Sequence, residues 1–329
     1  MSRKPIRVLL DSNVWRHLAE AGAGAQLVQV ARKKELDICV APCVVYEALR
    51  TSDAQLRDAL VRLMVMPVWV TMMPEAYDEA EEFLSEVRRV RPQWLRVTPD
   101  LRNRNANRID WQRSPKSFWV RLRDNPDNVA QQVKNLEGDA IERARKQAKE
   151  RRQEAMKAKW HFDGMHDSHF PAQLNEDLDG WDGDDIDAWR IDALTWATNS
   201  LKAPPYSDWI EGFVALSGII HDTSWVRFWL YDVDARHMPR WWIRTVCWIL
   251  QSLRKVTDGT PCDEQLATHL FSCDVFYSCD GAIVDIMNRC SRMAPHPMGQ
   301  SIRLGSENPA KTLINRLETL RQERAAGAL

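Results

Sequence analysis

The sequence predicts an α/β domain with a central parallel sheet, interrupted by a large, mostly helical insertion. Three observations carry this reading. Short apolar runs alternate with helix-patterned segments over residues 1–72. The alternation then stops, and periodicity over 73–256 is helical or absent. It resumes over 257–329, where an apolar run again sits between helical patterns. An insertion of roughly 180 residues is long for a connection, which points to a functional or regulatory role.

Each element has a local reason. Residues 6–10 are a continuous apolar run and predict a buried strand, followed by a helix over 13–22 that Ser12 or Asn13 can cap. A second helix is expected over 25–34 and a short strand over 36–41. Pro42 suits the first position of the next helix, which runs to about 51. Another helix is expected over 53–65 and a strand over 68–71. Within the insertion, residues 75–91 and 137–159 are helical in composition, and 161–187 read as a His-, Asp- and Gly-rich loop. Trp, Leu and Ile at helical spacing predict helices over 186–201, 207–220 and 240–255. Thr260 opens a helix running to about 272, a strand covers 275–278, and a helix covers 281–291. Asn308 and Pro309 cap a last helix with Leu313, Leu317 and Leu320 on one face.

The chain has 329 residues, 44% of them hydrophobic, and a formal net charge of −1, so the overall balance names no partner. Its seven cysteines form no CxxC pair, and most sit in apolar runs. That usage fits a reducing, cytoplasmic compartment rather than a disulfide scaffold. No apolar run reaches the ~18 residues of a membrane span, so no membrane partner is expected. The fifteen tryptophans recur beside Leu, Ile or Val and read first as core anchors, with base-stacking platforms as the alternative.

Local charge is segregated. Residues 96–159 hold 17 Lys/Arg against 9 Asp/Glu, a net of +8, whereas 163–192 hold 10 Asp/Glu against one Arg, a net of −9. In the basic stretch Arg102, Arg104, Arg108, Arg113, Lys116, Arg121 and Arg123 are interleaved with Trp111, Phe118 and Trp119. Cations with aromatics between them suit a nucleic-acid backbone and its bases. A solvated helical face, or one covered by the acidic segment, explains the same pattern. In the second case the acidic segment would mimic nucleic acid and hold the chain inhibited, and its deletion would raise activity.

Four acids stand out. Asp11 ends the first strand, in Leu9-Leu-Asp-Ser-Asn-Val-Trp15. Glu47 lies on the helix after Pro42, in Ala41-Pro-Cys-Val-Val-Tyr-Glu47. Asp263 sits in the first turn of the helix before the strand at 275–278, and Asp280 follows that strand, two residues after Ser278. Sites on parallel sheets form at the carboxyl ends of strands, where Asp11 and Asp280 would meet. Each acid also has a plainer explanation: a helix cap at Asp11, a surface pair with Arg50 for Glu47, a capping box from Thr260 to Asp263, and a turn before Gly281.

In order and spacing these segments resemble the PIN-domain nuclease superfamily over residues 5–72 and 258–292. The resemblance implies a PIN-like three-layer domain. It implies a hydrolase, a phosphodiesterase dependent on Mg²⁺ or Mn²⁺, most often a ribonuclease, so RNA is expected ahead of DNA. Asp11 and Asp280 would be principal metal ligands, Glu47 and Asp263 would ligate directly or through water, and Ser12, Asn13 and Ser278 would orient ligands or phosphate. Oxygen ligands suit these cations. The chain departs from the family in its long insertion, in Ser278 where Thr is commoner, and in Cys279 before the final Asp. Alternatives are an inactive scaffold that binds a protein or nucleic acid, or a DNA-cutting defence nuclease. A homodimer or an inhibitory partner is left open.

Two other motifs are set aside. His161, His166 and His169 with Asp163 and Asp167 match no strong zinc spacing. Residues 177–185 fail as a calcium loop, because Trp181 and Asp182 stand where a ligand and Gly are needed.

Overall fold

The computed structural model describes residues 4–157, 187–252, 254 and 260–326. Five strands form one sheet: β1 (Ile6–Leu10), β2 (Leu36–Val40), β3 (Val70–Thr71), β4 (Val275–Ser278) and β5 (Gln300–Arg303). Their order is β3-β2-β1-β4-β5, and every pairing is parallel. The register sets Ile6 opposite Leu36, Leu9 opposite Phe276, and Ser278 opposite Arg303. Leu9, Leu10, Val40, Phe276 and Tyr277 are fully buried, as expected of strands covered on both faces. The order places a topological switch between β1 and β4, because the chain leaves β1 in one direction and returns on its other side.

The helices of this layer are α1 (Ser12–Glu20), α2 (Gly24–Lys34), α3 (Pro42–Leu49) and α4 (Ala54–Met64). Asp53 caps α4 by accepting from Gln55 N and Leu56 N. The insertion contributes α5 (Glu75–Val90), α6 (Arg102–Trp111), α7 (Phe118–Asp124), α8 (Pro126–Lys157), α9 (Ala188–Ser200) and α10 (Pro239–Gln251). The sheet domain resumes with α11 (Thr260–Thr268), α12 (Gly281–Met293) and α13 (Pro309–Ala325). Among the described residues, no helix is long and apolar enough to cross a membrane.

Several expectations are corrected. The helix expected over 207–220 is broken into Ser207–Ile210 and Leu216–Ile219. Between them the chain pairs with the segment after α5: Phe213 O accepts from Arg96 N, Gly212 O accepts from Asp100 N, and Leu95 bridges Val214. Tertiary pairing there overrides the helical pattern. The helix expected from 137 begins earlier, where Asn125 accepts from Asn128 N and Pro126 takes the first position. Strand β5 and helices α6 and α7 were not anticipated. β5 is a polar edge strand with one buried residue, Ser301, and α6 is strongly polar with no buried face.

Among the described residues most tryptophans are core anchors. Phe83 of α5 stacks on Trp229 and meets Trp225 and Phe228 edge-on, and Trp229 packs on Trp241 of α10. Such pairs contribute about 0.5–1.5 kcal/mol each beyond area burial. These residues belong to the same continuous core as β1 and β4, so the insertion packs into the sheet domain.

Candidate active site

β1 delivers Asp11 to the switch point in an extended conformation that also caps α1, its side chain accepting from Ser12 N at 2.7 Å. Its own N–H donates to Tyr277 O at 3.0 Å, which fixes it beside the end of β4. Ser278 Oγ donates to Asp11 Oδ2 at 2.5 Å. Asn13 Nδ2 donates to the same oxygen at 2.7 Å and to Ser278 Oγ at 3.2 Å. The amide oxygen of Asn13 accepts from Cys279 N at 3.0 Å, so Asn13 clamps the ends of β1 and β4 together. Ser278 Oγ in turn accepts from Asp280 N at 2.9 Å. Asp280 caps α12 through Ala282 N at 2.7 Å. Asp11 and Asp280 are therefore both helix caps, standing side by side at the ends of β1 and β4.

Glu47 and Asp263 come from helices on either side. α3 carries Glu47, close enough to Asp11, Ser12 and Arg50 for each to act on its ionisation. Asp263 stands in the first turn of α11, and Thr260 is that helix's first residue. Asp263 Oδ2 accepts from Gln251 Nε2 at 2.9 Å, at the end of α10. Gln251 escaped sequence reasoning, because only the docking of the insertion makes it a neighbour of Asp263. Arg50, which is exposed and acts on the charge of Glu47, also places its Nη1 3.2 Å from Cys262 Sγ, next to Asp263.

The electrostatics tie the four acids together. Burial pushes the Asp11 carboxyl above its usual range, against hydrogen bonds from Ser278, Ser12 and Asn13. Burial, then the charge of Asp11, push Glu47 up to about 7, with Ser12 and Arg50 offsetting in part. Asp263 is held well above the carboxylate range by burial and then by the charges of Asp11, Glu47 and Asp280. The leading charge interactions on Asp263 are all with carboxylates, and such a cluster favours either bound protons or a cation. Its oxygen-only donor set suits a hard divalent ion. Among the described residues, however, no three His, Cys, Asp or Glu side chains group closely enough to hold a metal ion as they stand.

Most of the expected nucleic-acid-binding cations are already engaged. Arg102 pairs with Asp100, Arg104 with Glu81, Arg121 with Asp110, and Arg123 with Asp124. Arg113 donates to Met66 O and Trp69 O. Arg108 and Lys116 are exposed. Of the interleaved aromatics, Phe118 and Trp119 are buried, and Trp111 packs on Phe118 and on Tyr46, next to Glu47. This stretch therefore docks on α3 through its rings. His161, His166 and His169, the 177–185 motif and most of the acidic segment lie outside the described residues.

No protein-family model, no curated protein and no solved structure matches the chain.

Proposed function

We propose that the protein is a divalent-metal-dependent nuclease hydrolysing phosphodiester bonds. What supports this reading is that the charges of Asp11, Glu47 and Asp280 all act on Asp263, with Asp11 and Asp280 at the carboxyl ends of β1 and β4. Asp11 and Asp280 would hold Mg²⁺ or Mn²⁺, with Glu47 and Asp263 completing the set directly or through water. Such an ion, when bound, lowers the pKa of its water and neutralises charge on the phosphate and leaving oxygen.

The chain's own residues prepare the site. Ser278 and Asn13 both bond Asp11 Oδ2, which aims the carboxylate and leaves Oδ1 to the Ser12 side. Glu47 and Asp263 hold protons at neutral pH more readily than ordinary carboxylates, and both would have to release them to ligate a cation. RNA is the first substrate to test, with single- and double-stranded DNA beside it.

A second reading is favoured by one observation, the absence among the described residues of a closed three-ligand group. On that reading the domain is an inactive scaffold. Cleavage of labelled RNA and DNA, with Mn²⁺, Mg²⁺ or chelator, separates the two. Metal-dependent cleavage lost in both Asp11→Asn and Asp280→Asn, with unchanged circular dichroism, is the expected result. Equal cleavage by both variants would sink the site, and no cleavage by the wild type under any condition would move the reading to the scaffold.

A further inference from the structure

A cavity of ≈ 690 Å³ lies between the end of α3, the start of α4 and the first turns of α8. Its volume is in the range of small-ligand sites, roughly 300–1,000 Å³. Its chemistry is the opposite of the acid cluster. Arg50, Arg57 and Lys134 line it, with Thr51, Ser52 and Gln131 as further polar groups. One acid, Asp127, is present, and Arg57 Nη2 already bridges to it at 2.6 Å. Arg57 Nη1 donates to Thr51 O at 2.8 Å, while its buried Nε has no hydrogen-bond partner. Leu49 and Val133 are buried and give an apolar floor.

Arg50 links the cavity to the acid cluster. Arg50 lies one turn beyond Glu47 and acts on its charge, and its Nη1 reaches Cys262 Sγ beside Asp263. An anionic chain drawn to the cations would therefore lie next to the carboxylates, which alone repel it. The insertion builds this arrangement, because α8 supplies the outer wall.

We propose that this cavity binds the phosphate backbone of the substrate strand next to the scissile bond. The assignment rests on the nuclease reading above. It commits to a polynucleotide rather than a free nucleotide, and the two are separated by experiment.

The test uses the full chain carrying Asp11→Asn, so that substrate persists. Binding of fluorescent single-stranded RNA and DNA is followed by anisotropy as a function of salt. Lys134→Glu, alone and with Gln131→Glu, changes exposed side chains of α8. Lys311→Glu, on α13, is the control. Loss of one phosphate contact lowers affinity roughly tenfold at ~50 mM salt and reduces the salt slope by about one. That loss in the α8 variants, absent from Lys311→Glu, is the expected result. Strand binding unchanged by the α8 variants overturns the cavity assignment and leaves the nuclease reading standing. No strand binding, together with no cleavage by the wild-type chain, overturns both. Adenosine monophosphate bound in an α8-dependent way without any strand binding overturns the strand assignment in favour of a small-molecule site.

Discussion

Asn13 holds the two halves of the site together with three hydrogen bonds, to Asp11, Ser278 and Cys279. Removing a group that orients a metal ligand costs about 10–100-fold in metal affinity or activity. Asn13→Ala is therefore expected to raise the Mn²⁺ concentration needed for half-maximal cleavage by that factor, measured by titration. Asn13→Asp would add a fifth acid and is expected to be worse than Ala. Glu47 supplies a second prediction, in pH. Its carboxyl titrates at about 7 in the fold against 4.5 ordinarily, so folding takes up a proton between those values. The associated stability is present below about 4.5 and lost as pH rises past about 7. The melting temperature of the metal-free protein should fall from pH 5 to pH 8 by more in the wild type than in Glu47→Gln. The difference corresponds to something on the order of 1–2 kcal/mol after solvent screening. At this scale the sequence was readable where a residue sits at a strand end or in a motif, as do Asp11, Asn13 and Ser278. It was silent on Gln251, whose partner is chosen by packing.

Among elements, those with an apolar period were legible and those without one were not. β1, β2 and β4 begin and end within a residue or two of where the pattern puts them, and α13 begins at Pro309, where its cap puts it. β5 carries Gln300 and Arg303 at its ends and presents no apolar run. Its position depends instead on Gly299, whose N–H donates to Leu270 O and whose Cα faces the Cys273 carbonyl so closely that a Cβ would stand 2.8 Å from that oxygen. Gly299→Ala must push β5 away from β4 or shift the Cys273 backbone. A cost of about 1–3 kcal/mol is expected, read from chemical denaturation with an unchanged m-value. A variant as stable as the wild type would mean that β5 moves freely at this end.

At the level of the molecule, an ion pair joins the first and last long helices of the insertion. Glu79 of α5 is fully buried, and Arg244 of α10 donates to both its oxygens, at 2.5 and 3.0 Å. Tyr206 completes the set with a 2.6 Å bond to Glu79. Removing one partner of such a pair strands a buried charge, at about 3–5 kcal/mol. Arg244→Met should lose that much stability, whereas Arg244→Met with Glu79→Leu should recover much of it. α10 also carries Gln251, so the single variant is expected to weaken cleavage as well, through Asp263. The sequence announced the helices but not this join, since nothing in periodicity links positions 79 and 244.

The bond from Ser278 to Asp11 spans 267 positions of chain. A polypeptide leaving the ribosome from its amino end exposes β1 and its carboxylate long before β4 exists to meet them. Contacts of such long range form late in folding. For most of its synthesis the nascent chain thus carries only fragments of the acidic cluster, and assembly of the cluster reports that translation has passed the last of its four segments.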